Sequence, residues 1–142
     1  MRESGPPAAR AVTVLLVVTA VGTVAYWIGF FAAAGTLHSS ETDAYLAFER
    51  AFPAADAWMA TAALSAAVGI ARRRPWAARA GIATGSALVF LGLLDVLFNV
   101  EQGLYAAASG AMAVETIINV FCLAAGPFFL VYFWRYRDRL AT

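Results

Sequence analysis

Three carboxylates, Asp56, Asp95 and Glu115, fall inside stretches that are otherwise almost wholly apolar. A carboxylate at membrane depth costs roughly 2.5–3.5 kcal/mol on insertion scales, so each needs a partner or a task. Asp95 precedes Asn99 by four residues and Glu115 precedes Asn119 by four, so each acid shares a helix face with an amide. Acid–amide stripes of this kind can pair with one another, hold a cation or carry a proton. Tyr26, Trp27 and Trp58 lie at comparable depth and can form the walls. These eight residues are the candidate ligand-binding set.

The elements that must position them are membrane spans. The chain has 142 residues, 62% hydrophobic and 13% charged, with a mean hydropathy of +0.72. Soluble domains carry about 25% charged residues, so a soluble fold is excluded, and the apolar content excludes disorder. Ten basic against nine acidic residues leave a net charge of +1, which excludes a strongly basic nucleic-acid binder. The single cysteine, Cys122, makes no internal disulfide and offers no zinc spacing. No P-loop, GxSxG, CxxC or dinucleotide fingerprint occurs, and no cofactor is expected.

A span needs about 20 apolar residues. Residues 11–34 carry no charge and form the first. Arg2, Arg10 and Pro6-Pro7 before it look like a signal-peptide n-region, but an h-region has about 7–15 residues, so the run reads as an uncleaved anchor. Pro53 opens the second span, 53–71, which stops at Arg72-Arg73-Arg74-Pro75. The third covers 80–100 and the fourth 113–134. The expected fold is all-α, an antiparallel four-helix membrane bundle. Residues 42–52, with Tyr45, Phe48 and Phe52 on one face, read as a short amphipathic helix on the outer interface, the alternative being an irregular loop.

Nine of the ten arginines flank one side, Arg50 being the exception. The positive-inside rule then puts both termini in the cytoplasm. Seven of the nine carboxylates lie on the other side: Glu41, Asp43, Glu49, Asp56, Asp95, Glu101 and Glu115. Trp76, Tyr132, Trp134 and Tyr136 suit an inner aromatic belt, and Tyr45, Trp58 and Tyr105 an outer one. Alanine richness with arginine and no lysine indicates a GC-rich bacterial genome, hence a bacterial plasma membrane.

Two stripes fix how spans three and four meet. Gly81, Gly85, Leu88, Gly92, Asp95 and Asn99 follow a three–four spacing, and Glu115, Asn119, Cys122 and Gly126 another. In an antiparallel pair, Asp95 comes level with Asn119, and Asn99 with Glu115 near the surface. Asp56 on span two and Gly22, Tyr26, Gly29 and Ala33 on span one would complete an acidic cavity open to the outside. Three functions compete: binding or moving a small cation, proton or amphipathic ligand; an accessory subunit docking a partner helix through Gly81, Gly85 and Gly92, with the polar pairs as interhelical glue; and an intramembrane enzyme using a protonated Asp95 or Glu115 as general acid. Binding ranks first.

Weaker signals are His38, which could join Glu41 or Asp43 at a metal; Cys122 as a packing residue; Pro127, which should kink span four by freeing the Leu123 carbonyl; and Arg72–Arg74, which could bind anionic lipid. The segments Phe48-Glu49-Arg50-Ala51-Phe52-Pro53, Asp56-Ala57-Trp58-Met59-Ala60 and Leu94-Asp95-Val96-Leu97-Phe98-Asn99 resemble a signature of the small four-span membrane proteins of actinobacterial type. That resemblance implies the bundle and attaches no named activity. In outline the architecture is also similar to four-span sterol-binding and isomerase domains, without a motif that aligns.

Overall fold

A computed structural model describes residues 6–33 and 35–140. Arg2 and Glu3, and the last residue of the expected first span, lie outside the described residues. Among those described, every regular element is helical: α1 (Ala9–Ala32), α2 (Asp43–Glu49), α3 (Phe52–Ala71), α4 (Trp76–Glu101) and α5 (Gly110–Arg135), with a 3-10 turn at Leu104–Ala106. Four helical segments are long and apolar enough to cross a membrane, the second of them running through α2 and α3.

Local chemistry sets the boundaries. Thr42 caps α2 by accepting from the Tyr45 amide, and Asp43 sits in its first turn, where a carboxylate favours the helix dipole. Pro53 occupies the first turn of α3, where its missing N–H costs nothing. Ser109 caps α5 at the Met112 amide, 3.1 Å away. α5 then runs on through Pro127 to Arg135. Six threonines within the helices (13, 19, 23, 61, 84 and 116) donate their hydroxyls to the carbonyl four residues back. These hydroxyls are thereby satisfied without water, as an apolar surrounding requires.

The packing order is a chain, not a ring. α4 packs on α5 and on α3, while α1 packs on α3 and makes no close backbone contact with α4 or α5. The α4–α5 seam pairs Gly81 with Phe133, Gly85 with Gly126 and Leu130, Gly92 with Cys122, and Asn99 with Glu115. A Cβ at Gly85 would stand 2.7 Å from the Gly126 carbonyl oxygen, so that position admits no side chain. Gly81, Gly85 and Gly92 are all buried in this seam. There they pack against α5 of the same chain.

Two ends can be distinguished. The arginine end joins the start of α1, the α3–α4 turn and the end of α5. There Tyr132 donates to the Pro7 carbonyl at 3.0 Å, and Phe129, Phe133, Leu16 and Val12 are buried together. The acidic end carries α2, the end of α4 and the start of α5. α2 is held there by Phe48, stacked on Phe98 with ring centroids 3.9 Å apart.

Candidate functional site

A cavity of about 320 Å³ lies between α1 and α5, backed by α3 and α4. Tyr26, Trp27, Asp56, Asp95, Glu115 and Asn119 line it, as does Glu49. Six of the eight residues singled out in the sequence therefore share one cavity.

Glu115 is the hub of the acidic end. It is 3% exposed, accepts the Tyr45 hydroxyl on Oε1 and accepts the Asn99 amide on Oε2 at 3.3 Å. Asn99 also reaches Asp95, four residues before it, at 3.4 Å. The Tyr45 hydroxyl in turn accepts the Ser39 amide at 3.1 Å, which ties the first loop to the site. On the opposite wall, Trp27 donates its indole N–H to Asp56 Oδ2 at 2.7 Å.

Two expectations change, at Trp58 and at residues 42–52. Trp58 is 64% exposed and does not line the cavity, because the α3 face that carries Asp56 and Met59 turns it outward. Asn99, two residues before the end of α4, is fully buried behind the cavity and donates to both Asp95 and Glu115. Asn119 is paired with Asp95, as the matching depths predict, and also donates to the Tyr105 hydroxyl at 2.9 Å. Residues 42–52 do not lie flat on an interface: Tyr45 and Glu49 of α2 are both buried, turned in over the acidic end.

Glu49 is the residue that sequence reasoning missed. It is 5% exposed, lines the cavity, and among the described residues its carboxylate has no hydrogen-bond or ion-pair partner. A signal was present in the spacing: Tyr45, Glu49, Phe52, Asp56 and Met59 advance by four, three, four and three, one continuous face across α2 and α3. By its position alone Glu49 falls among the outer carboxylates, apart from the site.

Glu49, Asp56, Asp95 and Glu115 thus surround one space. No arginine lines it, and the ion pairs His38–Glu41 and Arg137–Asp138 lie elsewhere. His38 is engaged by Glu41 at 3.0 Å and its ring rests on Phe30. Among the described residues no group of three histidine, cysteine or acidic side chains converges as a metal site would. Cys122 packs against Gly92.

The way in is sideways. Val18 of α1 and Ile117 of α5 form the rims of the cavity and are 57% and 68% exposed. With no close packing between α1 and α5, the space between these rims is open. Away from the acids the walls are apolar: Met59, Leu88, Leu91 and Phe121. Compared with known proteins, the chain matches no family model, no curated protein and no solved structure, so its site has to be understood from its own residues.

Proposed function

We propose that the chain is a multi-pass membrane protein of the bacterial plasma membrane, with both termini cytoplasmic, whose acidic cavity binds a cation, free or as the head of an amphipathic molecule. Membrane insertion is supported by the outward faces of the helices. Val14, Val21 and Ile28 on α1, Leu64 on α3, Phe90, Leu93 and Leu97 on α4, and Val120 and Val131 on α5 are all exposed, a surface that water would not tolerate in a monomer. The antiparallel bundle is supported along the α4–α5 seam, where rising residue numbers on one helix meet falling numbers on the other. The arginine distribution supports the orientation.

The observation that carries the binding reading is Glu49: a buried carboxylate facing a cavity, joined there by three more, with no arginine among the residues that line it. Buried charges are ordinarily paired, and a bound cation supplies the missing partner. The accessory-subunit alternative loses its main support, because the glycines it relied on are occupied within the chain.

Calorimetric titration of the full chain in nanodiscs of digalactosyldiacylglycerol, a neutral lipid without an ammonium head, tests this, with tetramethylammonium and decyltrimethylammonium as probes. At least one should bind saturably, and Asp95→Asn should weaken that binding about tenfold or more, as expected for a contact to a charged group, with expression and melting temperature retained. No saturable binding of either probe, or binding indifferent to Asp95, would overturn the reading.

A further inference from the structure

The shape of the cavity says more about its occupant than its charge does. Its lining descends each long helix by two turns. On α1 it runs from Tyr26 to Thr19, on α4 from Asp95 to Leu88, and on α5 from Glu115 to Cys122. Seven residues of helix correspond to about 10 Å. The carboxylates occupy the first turn of that depth, and the remainder is walled by Leu88, Leu91, Phe121 and Met59. The hydroxyls of Thr19 and Thr23 along the same wall are committed to carbonyls of their own helix.

Resting on the cation-binding reading, we infer that the occupant is an amphipathic organic cation, an ammonium or amine head on an apolar chain, which enters from the bilayer between α1 and α5. The head meets Glu49, Asp95 and Glu115, and the chain lies along the apolar length. Three observations converge on this class. The cavity's volume falls at the small end of the range for small-molecule sites, about 300–1,000 Å³, far more than a bare ion needs. The four carboxylates, with no arginine among the lining residues, offer a phosphate no partner, so a simple ammonium or amine amphiphile fits better than a phospholipid. The exposed rims at Val18 and Ile117 give an opening bounded by apolar side chains, through which a molecule dissolved in lipid passes without crossing water.

Gly22 supplies a means of testing the tail separately from the head. It lines the cavity between the rims, and a Cβ built there meets nothing within 4 Å. A leucine at this position therefore fills the passage without disturbing packed neighbours.

The experiment compares decyltrimethylammonium with tetramethylammonium (head without tail) and decyl sulfate (tail without cationic head), titrated calorimetrically into the full chain in nanodiscs of digalactosyldiacylglycerol, a neutral lipid without an ammonium head. Empty nanodiscs correct for partition into lipid. Decyltrimethylammonium is expected to bind one to one, at least tenfold more tightly than either comparison compound. Glu49→Gln should weaken it about tenfold, and Gly22→Leu by a similar factor, while Gly22→Leu leaves tetramethylammonium affected less. Circular dichroism and melting temperature report that both variants fold. If tetramethylammonium binds as tightly as the decyl compound and both need Glu49, the amphipathic inference fails and the acidic cation site stands. If decyl sulfate binds equally well, or Gly22→Leu changes nothing, the lateral amphipathic site is overturned. If no cation binds, both readings fall together.

Discussion

At the arginine end, α4 and α5 approach until Gly85 and Gly126 touch backbone to backbone and Phe129 and Phe133 are sealed from any surroundings. At the acidic end the same two helices back a cavity of about 320 Å³ faced by acids without counter-charge. One seam therefore carries two kinds of design within 26-residue helices. In a bilayer, lipid is as apolar as a leucine core, so helix association draws on close packing more than on a hydrophobic driving force. The packed half can then hold the bundle together while the other half stays open and electrostatically unbalanced. On the cation-binding proposal, separating cohesion from recognition along the helix axis lets the cavity remain unsatisfied without the fold coming apart.

That division is broken most directly at Gly85. A methyl there meets the Gly126 carbonyl oxygen at 2.7 Å and the Leu130 amide at 2.9 Å, atoms that move only if α5 moves. Gly85→Ala should cost about 1–3 kcal/mol, toward the upper part of the overpacking range, read by denaturant unfolding in micelles. The folded fraction should still bind decyltrimethylammonium within about twofold of the unaltered chain, as expected for sites without shared partners. A loss of affinity matching the loss of stability would show that the two halves are one unit.

Two acids sharpen the comparison from the other side. Glu115 is built in: Tyr45 and Asn99 both donate to it. Glu115→Leu strands two buried donors and should destabilise the chain by about 1–3 kcal/mol. Glu49 serves no such donor. Glu49→Leu removes a buried, unpaired carboxylate and should raise stability by up to about 2.5 kcal/mol, while abolishing cation binding. Opposite signs of the thermal shift for these two substitutions identify which acid belongs to the fold and which to the function. A drop in melting temperature for Glu49→Leu would assign Glu49 to the fold after all.

Much of this was legible in the residues alone, and the parts that were not share a cause. Long apolar runs announce spans because the bilayer sets their length. The stripe from Gly81 to Asn99 announced the α4 face that meets α5, since three–four spacing is a property of the helix itself. Even the Asn99–Glu115 contact followed from matching depths. What stayed hidden depended on partners far along the chain. Tyr45 looks like an interfacial tyrosine until its hydroxyl meets Glu115, 70 residues away. Glu49 looked like a solvated loop acid because α2 was read as lying flat, and nothing local says that it turns inward. Nor does periodicity reveal that α1 and α5 stand apart, which is what opens the cavity sideways.

The smallest expected effect separates two tryptophans that the sequence could not rank. Trp27 and Trp58 both sit near Asp56, one on α1 and one two residues after it on α3. Trp27 gives its indole N–H to Asp56 at 2.7 Å and packs edge-on against Tyr26 and Phe30, with ring centroids 5.2 and 5.1 Å away. Trp27→Phe keeps the ring but loses that hydrogen bond, so it should cost about 1–1.5 kcal/mol and weaken cation binding by freeing Asp56. Trp58 projects from α3 with 64% of its surface uncovered and has no hydrogen bond to lose. Trp58→Phe should change stability by less than about 0.5 kcal/mol and leave decyltrimethylammonium affinity untouched. If Trp58→Phe instead matched Trp27→Phe in either measurement, the α3 face would have to take part in the site, and the cavity's boundary would need to be redrawn to include it.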